Sequence, residues 1–132
     1  MDIANIAHVG IRVTHRDRAL DFYRKLGFEL GYEDEHDPVA VLTNAAGVEI
    51  NLVMNGVAYE DGRNVLMDVP SKYPGYTHVA FGISSATDAV KRLGELGITI
   101  TEGPVRLGQG VSIFVRDPDQ NVLELRESLS KS

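Results

Sequence analysis

Apolar residues along this chain fall in short runs whose period switches from strand to helix and back, and the whole sequence of switches occurs twice. Residues 6–13 are apolar and β-branched, with Ile11 and Val13 late in the run, which predicts a strand. Leu20 and Tyr23, with Ala19, Phe22 and Leu26 nearby, then recur at three- and four-residue spacing and predict a helix. Thr14 is placed to cap its start, and Gly27 stands where a left-handed C-terminal residue is expected. Strands are predicted at 28–32, 39–42 and 48–53, with a polar loop at 34–38 and a turn at Asn44-Ala45-Ala46-Gly47. The order is β-α-β-β-β.

The second half repeats it. A strand is predicted at 77–83. Ala86, Ala89, Val90, Leu93 and Leu96 then mark a helix, with Ser84 or Ser85 as cap and Gly97 as stop. Strands follow at 98–101, 111–115 and 121–125, the last two joined by the turn Asp117-Pro118-Asp119-Gln120. His8-Val9-Gly10 aligns with His78-Val79-Ala80, and the two turns align with each other, which sets Asn51 opposite Glu124. The offset is 70 at the first pair (78 − 8) and 73 at the last (124 − 51), so three residues are inserted between. The expected organisation is one α+β domain: module one at 4–54, a surface connector at 55–75 with one short helical turn, and module two at 76–127. The two modules are expected to form a curled mixed sheet around a central site.

The repeat also organises the chemistry. An approximate twofold between the halves would turn four equivalent positions, His8, Asn51, His78 and Glu124, toward one cavity. A lone strand histidine is ordinarily satisfied by backbone carbonyls. Two at equivalent positions, with a carboxylate on a predicted buried strand, point instead to a metal ion, because a buried unpaired Glu124 would be costly. Two imidazoles and a carboxylate suit one Ni, Zn, Mn or Fe(II) ion and leave coordination positions open, as catalysis requires. Strand alternation adds Arg12 on the face of His8, and Glu49 on the face of Asn51. Arg12 is a candidate anion anchor or a cross-sheet ion-pair partner. Glu49 is a candidate acid-base group or a solvated carboxylate, and Asn51 a weak ligand, a substrate contact or an amide facing water. His15 and His36 read as solvated, and Phe22, Tyr23 and Phe28 as core.

Composition narrows the function. Of 132 residues, 43% are hydrophobic and 24% charged, which is ordinary for a globular protein. The net charge of −6 and the lack of any Lys/Arg run argue against a nucleic-acid partner. Cysteine is absent, which excludes disulfides, thiolate ligands and cysteine nucleophiles. No signal peptide or membrane span is expected, and the cytoplasm is the default location.

The chain resembles the vicinal-oxygen-chelate superfamily, which includes glyoxalase I, fosfomycin-resistance proteins, extradiol dioxygenases and bleomycin-resistance proteins. The segments carrying the resemblance are 8–13 (HVGIRV), 19–23 (ALDFY) with 26–28 (LGF), 76–81 (YTHVAF) and 114–125 (FVRDPDQNVLEL). They span nearly the whole chain and are specific to the superfamily rather than to one activity. The resemblance implies paired β-α-β-β-β modules and carries the family's metal ligands onto His8, His78 and Glu124. It departs from glyoxalase I at Asn51, where that enzyme usually has a fourth ligand, a Glu. It agrees with glyoxalase I at Arg12, which matches an arginine that holds the glutathione carboxylate.

The leading function implied is a metal-dependent lyase or isomerase of glyoxalase type, acting on a small oxygen-chelating substrate such as a glutathione adduct. Glu124 and Glu49 would be the proton-handling groups, and Arg12 and Asn51 the substrate contacts. The alternatives are extradiol ring cleavage or epoxide opening at the same metal, or a non-catalytic drug-sequestering protein of bleomycin-resistance type. A homodimer is expected, since the family often pairs modules between chains and sheet edges would otherwise stay open.

Overall fold

The computed structural model describes residues 1–129. Module one comprises β1 (Val9–Arg12), α1 (Arg16–Lys25), β2 (Glu29–Glu33), β3 (Val39–Thr43) and β4 (Glu49–Val53). Module two comprises β5 (His78–Ile83), α2 (Ala86–Leu96), β6 (Ile100–Leu107), β7 (Gly110–Arg116) and β8 (Val122–Ser128). A single 3-10 turn at Glu60–Gly62 interrupts the connector, as the sequence suggested. The chain divides into two units at that turn, Met1–Asp61 and Gly62–Ser132. No helix among the described residues is long and apolar enough to cross a membrane.

The strands form two four-stranded sheets, one per module, rather than one continuous sheet. Their orders are β1-β4-β3-β2 and β5-β8-β7-β6. In each, the first strand pairs in parallel with the last, and the remaining pairs are antiparallel. That parallel pairing is what brings the start of a module beside its end. The helix between the first two strands supplies the crossover it needs.

Each sheet packs one face on its helix. In module one Ile11, Ala40, Leu42, Ile50 and Leu52 are buried, and α1 contributes Ala19, Leu20, Phe22 and Tyr23. Tyr23 is fully buried and meets Phe22 and Phe28 edge to face, with ring centroids 5.1 Å and 6.3 Å away. In module two the equivalent layer is Ile113, Val115, Leu123 and Leu125 with Leu93 of α2. Each such aliphatic side chain removed from water stabilises the fold by roughly 1.5–3 kcal/mol. Alternation then leaves His8, Gly10, Arg12, Glu49, Asn51 and Val53 on the face of the first sheet that α1 does not cover.

Helix ends follow the sequence with one exception. Ser85 caps α2, its Oγ accepting from Asp88 N at 3.1 Å, and Gly97 ends it at φ 73°. Gly27 follows α1 at φ 100°, a conformation glycine adopts without the steric penalty of a Cβ. Thr14, by contrast, does not cap α1. The N-cap is His15, whose side chain makes no cap bond, and Thr14 Oγ1 accepts from Arg18 Nη2 at 3.0 Å instead. Thr14 stands one residue too early for its hydroxyl to reach the first free N–H groups.

Two strand extents differ from expectation for reasons of pairing. β1 begins at Val9, not residue 6, because its sole neighbour β4 begins at Glu49 and the first matched pair is Val9 with Ile50. β6 runs on to Leu107 through Gly103 and Pro104, where a stop at residue 101 was expected. It is an edge strand, where a missing N–H is tolerated, and it absorbs the irregularity in register shifts between Ile100 and Glu102 and between Glu102 and Val105. The three inserted residues of module two therefore lie in β6 and the turn after it.

Candidate functional site

The parallel pair in each module sets a histidine beside the last strand in the same way. In module two His78 opens β5, and Glu124 pairs with Ala80, two residues further along. In module one His8 immediately precedes β1, and Asn51 pairs with Gly10, again two residues further along. The sequence alignment of Asn51 with Glu124 is thus borne out strand by strand.

In module two the result is a compact polar cluster. His78 Nε2 lies 3.0 Å from Glu124 Oε1, and His78 Nδ1 lies 2.9 Å from Thr77 Oγ1. The other carboxylate oxygen, Glu124 Oε2, accepts from Ser112 Oγ at 2.5 Å. Arg126 Nη1 donates to the same Ser112 Oγ at 3.0 Å and stands 3.7 Å from Glu124 Oε2. Its Nη2 donates to the Leu107 carbonyl at 2.7 Å. Glu124 is 7% exposed, so its charge has left most of its water, and these partners replace it. The ring of Phe114, which pairs with Glu124 across β7 and β8, meets the His78 ring edge-on at 6.0 Å.

In module one the cluster is looser and more exposed. The Asn51 amide orientation that satisfies both of its polar ends puts its oxygen 3.1 Å from His8 Nε2 and its nitrogen 3.2 Å from Glu49 Oε2. Glu49 Oε2 is also 3.5 Å from His8 Nδ1. The His8 and Glu49 side chains are 47% and 34% exposed. Arg12 shares their face, and its Nε donates to Asn55 Oδ1 at 3.0 Å.

Both halves therefore aim a histidine Nε2 at an oxygen of the equivalent partner, at 3.1 Å in one and 3.0 Å in the other. Each module keeps its own set: His8, Glu49 and Asn51 in the first, His78 and Glu124 in the second. Among the described residues, no group of three or more His, Asp or Glu side chains lies at metal-holding spacing. Thr77, Ser112 and Arg126 were not singled out in the sequence. Strand alternation alone puts Arg126, two residues beyond Glu124, on the same face. Ser112 follows only from the β7–β8 register, in which it pairs with Arg126.

The residues expected to make turns do so. Asp117 is 2% exposed and ties the β7–β8 turn together: its Oδ1 accepts from Asp119 N at 2.8 Å and Asn121 N at 2.9 Å, and its Oδ2 from Asn121 Nδ2 at 2.9 Å. Asn44 Oδ1 plays the same part in the β3–β4 turn, accepting from Ala46 N at 3.1 Å and Val48 N at 2.8 Å. Resolved shifts of acidity lie away from both clusters. Hydrogen bonds from the Arg16 guanidinium hold Glu33 below the usual carboxylate range. Bonds from the backbone N–H groups of Asp37 and His36 do the same for Asp34, and bonds from the Arg116 guanidinium do it for Asp68.

Could these residues take a metal? The chemistry of the donors, imidazole and carboxylate, suits a divalent ion, and the structure brings two of them together in module two. His78 Nε2 and Glu124 Oε1, 3.0 Å apart, are the atoms that would hold it. The Thr77 and Ser112 contacts engage Nδ1 and Oε2, leaving Nε2 and Oε1 as the atoms that face each other.

Paired modules of this order, each with a histidine at or just before the start of its first strand and an amide or carboxylate on its last, define a class of small two-module proteins. Comparison identifies the family. The Glyoxalase/Bleomycin resistance protein/Dioxygenase superfamily model matches residues 5–125, and the chain belongs to that superfamily. A relative from Mycosarcoma maydis, "Glyoxalase domain-containing protein RDO1", is 32% identical over 95% of this chain and 69% of its own length. The "Lactoylglutathione lyase" of Escherichia coli O157:H7 is 29% identical over 92% of this chain and 91% of its own. Among solved structures, "Virulence protein STM3117" from Salmonella typhimurium is 28% identical, with a TM-score of 0.70 over 97% of this chain and 99% of that one.

Proposed function

We propose that this protein is a metal-dependent lyase or isomerase of glyoxalase type, with His8, His78 and Glu124 as protein ligands of one divalent cation and a small oxygen-chelating substrate. The observation that carries the reading is the His78 Nε2 to Glu124 Oε1 spacing of 3.0 Å, with the other polar atom of each group already engaged. When bound, the ion supplies Lewis-acid polarisation of two neighbouring substrate oxygens.

The chain's own residues then divide the work. Glu124 and Glu49 are the carboxylates available to take a proton from one substrate carbon and return it to the next. Glu49 is the better placed of the two to move, because it is the more exposed and its Oε2 meets the Asn51 amide and the His8 ring at 3.2 Å and 3.5 Å. Arg12 offers a cation for a substrate carboxylate, as a glutathione adduct would carry, and the Asn51 amide nitrogen offers a donor to a substrate oxygen. The names of several relatives support this substrate class. The unit in solution is a homodimer in this reading. Each module leaves two edge strands, β1 and β2 in one and β5 and β6 in the other, and a second copy would cover such edges.

The test is an isomerase assay. Protein loaded in turn with Ni, Zn, Mn or Fe(II) is mixed with the hemithioacetal of glutathione and a 2-oxoaldehyde, and the 2-hydroxythioester is followed. Metal-dependent formation of the thioester supports the reading. No turnover with any of the four ions would remove the glyoxalase-type activity and direct attention to ring cleavage, epoxide opening or drug binding.

A further inference from the structure

Because the modules repeat, every position near Glu124 has a counterpart near Asn51, and the first half serves as an internal control for the second. By the same offsets, Thr77 corresponds to Ala7, Ser112 to Val39, and Arg126 to Val53. The pairing confirms the match: Ser112 faces Arg126 across β7 and β8 as Val39 faces Val53 across β3 and β4. The half that has a carboxylate thus has three polar neighbours around its His–carboxylate pair. The half that has an amide has three apolar residues in their place. Polar residues on a half-buried sheet face cost stability unless they are used, so their confinement to one module needs a cause.

The hydrogen bonds supply it. Arginine only donates, and a serine hydroxyl has a single proton. Arg126 Nη1 donates into a lone pair of Ser112 Oγ at 3.0 Å, which commits the serine proton to Glu124 Oε2 at 2.5 Å. Arg126 is itself fixed by the Leu107 carbonyl, and room for its guanidinium depends on Gly110, where an added Cβ would lie 2.7 Å from Arg126 Cζ. The carboxylate therefore has one oxygen tied from behind and one directed at His78.

We propose that Ser112 and Arg126 are positioning residues that hold Glu124 as a one-oxygen metal ligand, making module two the anchoring half for the cation. The inference rests on the metal-dependent reading above. It adds that affinity for the ion is set by a Ser–Arg pair that touches neither ion nor substrate. Outer-shell partners of this kind are worth about 10- to 100-fold in metal affinity.

Cobalt(II) is the probe, because its visible bands report ligand number and geometry as well as occupancy. Full-length wild type, Ser112→Ala, Ser112→Thr and Arg126→Met are titrated with Co(II) against a competing chelator, and thermal unfolding of each metal-free protein is recorded alongside. We expect Ser112→Ala and Arg126→Met to bind about 10- to 100-fold more weakly with altered visible bands, and Ser112→Thr to restore both. Arg126 is partly exposed, so its variant keeps the test open if truncation at buried Ser112 prevents folding. Wild-type affinity and bands in a folded Ser112→Ala or Arg126→Met would overturn the positioning role while leaving the metal site standing. Failure of wild type itself to bind Co(II) would overturn the metal reading and this inference with it.

Discussion

Asn51 and Glu124 occupy one and the same position in the two modules: each lies two residues beyond a histidine in the register of a parallel strand pair, and each turns an oxygen to that histidine's Nε2. The repeat has thus kept the geometry in both halves and the charge in only one. That asymmetry is why the proposed ligand set has three members where the repeat offers four equivalent positions. It also separates an exposed half carrying Arg12 and Glu49 from a buried half carrying the supported carboxylate.

Asn51→Glu is expected to add the missing charge. Co(II) affinity, measured by chelator competition, should rise on the order of tenfold or more, since a charged oxygen replaces a neutral one. The metal-free variant should lose about 1 kcal/mol in urea unfolding, because the amide nitrogen that meets Glu49 Oε2 at 3.2 Å would become a like charge. Unchanged affinity would mean that the Asn51 position does not face the ion.

Asp117 supports the site from a distance by fixing the turn that sets the β7–β8 register. Asp117→Ala leaves three donors without their acceptor in a buried turn. The expected loss is about 2–3 kcal/mol, read as a lower urea midpoint at unchanged slope. A loss under about 0.5 kcal/mol would show that water replaces the carboxylate at no cost.

Asp68 gives a pH dependence whose sign is fixed. Its carboxylate is held below its ordinary value of 3.8, foremost by the Arg116 guanidinium, at 2.6 Å and 2.9 Å. A lowered folded-state value means that the pair stabilises the fold above the ordinary carboxylate value. That contribution is lost as pH falls through the folded value. The stability difference between wild type and Asp68→Asn should therefore be present near neutrality and shrink as pH falls below the ordinary carboxylate value. Both side chains keep some contact with water, so the difference should stay under about 1 kcal/mol. Paired urea titrations across that range check it, and a difference that grew on acidification would refute the assignment.

Much of this was legible in the sequence because it is local or repeated. Glycine after a 3.6-residue pattern marked the ends of α1 and α2 at Gly27 and Gly97, and Asx chemistry marked the turns at Asn44 and Asp117. The repeat then carried Asn51 onto Glu124 without any knowledge of pairing. What escaped depends on neighbours in space. The start of β1 is set by where β4 begins, and the length of β6 by an edge position that tolerates Pro104. Ser112 looks like an ordinary small strand residue until the register sets it beside Glu124, and Thr14 loses its cap role to a one-residue shift in helix start.

The most direct test of the central claim is metal content per chain by elemental mass spectrometry. The protein is purified without chelators or a histidine tag, with His78→Ala prepared alongside. The account predicts about one divalent ion per wild-type chain and its loss in the variant. No metal in either protein, even after reloading, would contradict it and leave a binding module of the same fold as the better description.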